Sequence, residues 1–180
     1  MDLLIGRLTR SRDMTRKQLL GMKEEAVPYL CIALLEHFNP WVRRECVLLL
    51  KELQSPRGIP SLILGLDDSE VFVQLTCVEA LMAFESDKIL PALKKKFFSE
   101  SLSVYLKATL ALKLAELGQQ DIVEHLREQA EHFERFCKKR HHTPERYSKQ
   151  RYLCWYLKEA LSLLTGERND FATLPHSKKK

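Results

Sequence analysis

A period of 31 residues runs through the middle of the chain and restricts its fold more than any other feature. Val42, Val73 and Val104 are 31 apart. So are Cys46, Cys77 and Ala108, and so are Leu50, Leu81 and Leu112. Upstream in each unit sits a proline (Pro28, Pro60, Pro91), and a leucine follows two residues later (Leu30, Leu62, Leu93). Five columns that agree over three units mark a structural repeat, and a repeat of this length is one supersecondary unit used several times.

Each unit reads as two helices. The first is short and opens near its proline, which a first helical turn tolerates because the missing N–H has no intrahelical partner there. A polar break follows: Asn39-Pro40, Asp67-Asp68-Ser69, Ser99-Glu100-Ser101. The second helix places apolar or small residues at i, i+4 and i+8, for example Val42, Cys46 and Leu50, which is one helical face. The small middle residue lets a neighbouring helix come close. A single hairpin cannot bury this stripe, so stacking the hairpins makes the core. Gly and Pro are sparse, at 6 and 7, and Val, Ile and Thr do not alternate, which argues against sandwiches and barrels.

These columns resemble the HEAT-repeat family, including its short bacterial form related to the bilin-lyase repeats. The resemblance covers residues 25–118. It is carried by the proline of the first helix, an aspartate in the turn, then Val-Arg and a small residue in the second helix. Val42-Arg43 and Cys46 match in the first unit, which has His37 where an aspartate might lie. Asp67-Asp68 match in the second, with Gln74 in place of the arginine, and Val104 and Ala108 match in the third, with Tyr105 in its place. The resemblance implies an all-α, right-handed solenoid of stacked helical hairpins. It also implies an ion pair between an aspartate of one repeat and an arginine of its neighbour, and Arg43 with Asp67 or Asp68 is the pair this chain offers.

Carrying the period back from Val42, Cys46 and Leu50 lands on Ser11, Thr15 and Leu19, so residues 1–24 read as a degenerate capping repeat. Residues 119–166 depart from the repeat and read as a C-terminal helical cap. Asp121 is the expected N-cap of its first helix and Thr143-Pro144 open the second, which is rich in aromatics (Tyr147, Tyr152, Trp155, Tyr156) and ends at Gly166. Residues 167–180 read as a disordered basic tail.

The net charge of +5 is unevenly placed. Residues 1–20 carry +3, residues 138–180 carry +7, and the stretch between them carries −5. The densest basic patch holds Lys138, Lys139, Arg140, Arg146, Lys149 and Arg151, with Tyr147 and Tyr152 interleaved. Basic groups with aromatics between them can hold a phosphate backbone or another polyanion, so these six are the candidate anion-binding residues.

Signals of chemistry are weak. Five cysteines form no CxxC pair, which points away from a disulfide framework and toward a reducing, cytoplasmic setting. Cys137 and His141, four apart, have the spacing of two metal ligands, but no obvious carboxylate completes a set. No apolar run is long enough to span a bilayer, and MDLLIGRLTRSRDM is interrupted by charge too soon for a signal peptide. Gly-rich phosphate loops, GxSxG and HExxH are absent. The resemblance brings bilin-lyase-like and DNA-glycosylase-like activities as lesser alternatives. It also brings hydroxylases with His-Glu dipeptides, whereas this chain has only the reverse order, as in Glu36-His37. The expected function is a non-enzymatic scaffold or adaptor, without a cofactor, that binds a protein partner on the concave face lined by the second helices. Arg44, Glu45, Gln74, Glu79, Tyr105 and Lys107 flank the apolar stripe as expected exposed contacts. Trp41, at a turn, is either the wall of a repeat junction or a binding anchor. Nucleic-acid or other polyanion binding through the basic patch is the rival reading.

Overall fold

The computed structural model describes residues 5–9, 12–99, 102–139 and 144–168, with backbone alone for 9, 12, 136–139 and 144–151. The described residues are helical or in turns, with no strand among them. They fall into two compact units, Met1–Lys96 and Phe97–Lys180.

The first unit opens with a 3-10 turn, Arg7–Thr9, and helix α1, Arg12–Gly21. Two helical hairpins follow: α2 (Val27–Glu36) with α3 (Pro40–Leu53), and α4 (Ile59–Leu64) with α5 (Val71–Leu81). Helix α6, Ile89–Phe97, comes last. First helices stack on first helices, α2 on α4, and second helices on second helices, α3 on α5, with α1 packed on α3 in the place a preceding second helix would take. This is the stacking the 31-residue period demands. Its core holds Leu30, Leu34, Val42, Cys46, Leu50, Leu62, Val73, Cys77 and Leu81, each at most 1% exposed.

Local chemistry sets the helix ends. Pro28 and Pro60 sit in the first turns of α2 and α4. Asn39 caps α3: its side-chain oxygen accepts the Trp41 backbone N–H at 2.9 Å, and Pro40 opens the helix. The small-residue column extends back to Thr15, 2% exposed, as the period requires. At Gly65 the α4 turn comes close to α5: an added Cβ would lie 2.6 Å from the Cys77 Sγ.

In the second unit α7 (Val104–Glu116) and α8 (Val123–Lys139) both pack on α9 (Pro144–Thr165). Ser103 caps α7 by accepting the Leu106 N–H at 3.2 Å. Gly118 and Gly166 end α7 and α9 with φ of +67° and +75°, a conformation that costs a side-chain-bearing residue energy. Two expectations change here. Asp121 is not the N-cap of α8, because a 3-10 turn, Gln120–Ile122, precedes that helix. Val104 and Leu112 are half-buried, unlike their equivalents. Helices α3 and α5 begin two residues before Val42 and Val73, whereas α7 begins at Val104 itself, so that residue sits in a helix mouth. Ala108 keeps its place, fully buried.

Candidate functional site

The turn between α2 and α3 is held by one arginine. Arg43 donates through Nε and Nη2 to the two carboxylate oxygens of Asp68, both at 2.7 Å, across the stacked hairpins. Its Nη1 donates to the carbonyls of His37 at 2.9 Å and Phe38 at 3.3 Å. Both ionic side chains are at least nine-tenths buried. The hydrogen bond that Arg43 donates to Asp68, helped by the carboxylate's charge, outweighs desolvation and raises the guanidinium pKa above its ordinary value. Gln74, the residue standing where the second arginine would be, donates instead to the Asp68 backbone carbonyl at 2.5 Å.

That turn and α2 expose several large apolar side chains. A cleft of about 350 Å³ is lined by Ile5, Tyr29, Ile32, Glu36, His37 and Phe38, with Ala33 at its floor. Tyr29, Ile32 and Phe38 are 44%, 55% and 88% exposed. The His37 ring stacks on Phe38, centroids 4.8 Å apart, and its Nδ1 accepts the Asn39 backbone N–H at 3.1 Å, so the turn fixes the ring. Glu36 is exposed and is the one charged residue of α2. Trp41, 60% exposed, stacks on Phe72 of the next hairpin at 4.8 Å.

Sequence reasoning pointed to the second helices and missed this cleft. The available signal was the composition of α2, whose ten residues carry a single charge and are apolar on both faces. The expected contacts are placed as follows. Glu79 is exposed and Arg44 and Gln74 are half-buried. Glu45 departs from expectation, being only 6% exposed. Helix α1 packs on α3, and Arg16 meets Glu45 at 3.4 Å while Arg44 approaches it at 3.5 Å.

Tyr105 and Lys107 belong to the second unit. Tyr105 is exposed and meets Tyr152 edge-on at 5.4 Å, and Tyr152 in turn packs on Tyr156 at 4.3 Å. Burial, then the hydrogen bond with Tyr156, pushes the Tyr152 hydroxyl far above the usual tyrosine range. Lys107 is half-buried, and desolvation lowers its pKa. His125 packs edge-on against Phe97 and Phe98 at 5.3 and 5.0 Å, with its buried Nε2 lacking a hydrogen-bond partner. Desolvation first, then the Lys107 charge, holds that ring below the ordinary histidine pKa. The anion-binding candidates Lys138, Lys139, Arg146, Lys149 and Arg151 have their side chains outside the described residues, as do Cys137 and Tyr147, and Arg140 and His141 lie wholly outside them.

Burial silences the column thiols. The Cys46 pKa is pushed up to about 12 and that of Cys77 is raised further, so neither is a nucleophile at neutral pH. Among the described residues no cluster of three or more His, Cys, Asp or Glu side chains is arranged to hold a metal ion. Nor is any helix among them long and apolar enough to cross a membrane.

Residues 27–97 match the family of HEAT repeats. That segment is therefore a HEAT-repeat segment. It spans the two stacked hairpins and α6, and it contains the Arg43–Asp68 pair and most of the cleft wall. HEAT repeats generally mediate protein–protein interaction and are typically non-enzymatic. No curated protein matches the chain.

Proposed function

We propose that this chain is a non-enzymatic protein-interaction module that docks a partner on the outer face of α2 and the turn that follows. One observation carries the reading: the HEAT segment exposes Tyr29, Ile32, Leu35, Phe38 and Trp41 along α2, the turn after it and the first turn of α3. Large apolar side chains gathered in this way are costly in water and are characteristic of docking surfaces. Phe38 and Trp41 are the expected anchors, because buried aromatics dominate interface energies. The surface lies on the first helix rather than among the polar candidates of the second helices. Arg44 and Glu79 then serve as rim contacts. The thiols of Cys31, Cys46 and Cys77, none of them in a disulfide, suit a reducing, cytoplasmic setting.

Affinity capture from native lysate tests the reading, with the full wild-type chain and a Phe38→Ser/Trp41→Ser variant at two salt concentrations. The reading expects a protein recovered by the wild type at both salts and reduced at least tenfold by the variant. Equal recovery by both chains contradicts it. So does recovery of nucleic acid alone with a steep fall in salt, which is the signature of phosphate contacts.

A further inference from the structure

We propose that the α2 cleft receives an amphipathic helical segment of a partner protein, with apolar side chains against Tyr29, Ile32 and Phe38 and one basic side chain paired with Glu36. The proposal rests on the protein-interaction reading and specifies what the partner must present.

Three observations define the occupant. The first is geometric: Tyr29, Ile32 and Glu36 stand at i, i+3 and i+7 along α2, a stripe on one face of a straight helix. An exposed stripe of that spacing matches the helix-in-groove mode of recognition, in which a partner helix lays its own i, i+3, i+4, i+7 anchors into an apolar groove. The second is packing. The inner face of α2 is already buried through Val27, Leu30, Ala33 and Leu34. The outer face is apolar as well, and a helix that is apolar all round belongs in a buried setting. A second layer is what this helix lacks.

The third is charge. Glu36 forms no ion pair with any described residue, and no basic residue is among the described residues that line the cleft. It lines the same cleft as Tyr29 and Phe38, whose ring faces attract a cation. A lysine or arginine entering here gains both the carboxylate and the rings as water is displaced, whereas an acidic residue meets repulsion. The His37–Phe38 wall is held in advance by Asn39 on one side and Arg43 on the other, so little ordering is left for binding.

The test uses the isotopically labelled full-length chain and two synthetic amphipathic helices. One is built from leucine and lysine, the other is identical with glutamate for lysine. The Leu/Lys peptide is expected to saturate with shifts at residues 29–38 and to bind at least tenfold more tightly than the Leu/Glu peptide. Glu36→Lys is expected to reverse that preference, and the exposed position of Glu36 keeps the fold out of the comparison. Equal binding of the two peptides, shifts confined to residues outside 5–38, or an unchanged preference in Glu36→Lys overturns the proposal. If it fails in any of these ways while Phe38→Ser/Trp41→Ser still abolishes capture of the natural partner, the charge assignment falls and the protein-interaction reading stands.

Discussion

Arg43 shows how much one side chain can carry. Its fork donates to both oxygens of the Asp68 carboxylate and to the backbone carbonyls of His37 and Phe38. Removing it leaves a carboxylate only 6% exposed without its counter-charge. Arg43→Ala is therefore expected to destabilise the protein by about 3–5 kcal/mol in chemical denaturation, the usual cost of breaking a buried pair from one side. Arg43→Lys recovers only part of this, because an ammonium cannot match both carboxylate oxygens and the carbonyls. A loss below about 1 kcal/mol for Arg43→Ala, together with abolished partner binding, would reassign the residue from architecture to recognition. The pair was legible in the sequence, since the HEAT resemblance requires an arginine and an aspartate in these columns. The burial of Glu45 was not. It depends on α1 covering α3, and nothing at position 45 itself records which neighbour arrives.

At the scale of elements, the hairpins follow from the 31-residue columns, the prolines and the caps at Asn39 and Ser103. The columns also anticipate where helices approach most closely. Cys77 occupies the small-residue position of α5, and Gly65 faces it from the end of α4. Gly65 has an ordinary helical φ of −63°, so space rather than backbone freedom demands glycine there. Gly65→Ala is expected to cost about 1–3 kcal/mol by overpacking, and Cys77→Ala in the same chain is expected to restore part of it. Thermal denaturation of the two single variants and the double variant measures this, and strictly additive losses would contradict the contact. The outer face of α2 was harder to read. Sequence periodicity finds a helix face by contrast with polar neighbours, and α2 offers almost no contrast. Attention therefore passed to the second helices, whose stripes stand out against charge. Val104 shows the opposite limit: the column is right, but the helix starts later, and periodicity does not fix where a helix begins.

At the scale of the whole molecule, the chain forms two compact units, with the HEAT segment in the first and the start of the second. Each draws its stability from a continuous apolar core, in which a fully buried leucine contributes about 1.5–3 kcal/mol. The repeat was visible in sequence because identical contacts recur. The unit boundary within α6 was not, since Ile89, Leu93 and Phe97 are all buried and carry no local mark of a division. Charge, too, read differently from surface: the basic residues of 138–151 dominate the sequence, while the exposed apolar side chains of 29–41 define the candidate site. Hydrogen exchange of the full chain, alone and with the protein it captures, decides between them. The account predicts slowed exchange across residues 27–41 in the complex. Slowing confined to residues 138–151, with 27–41 unchanged, would contradict it.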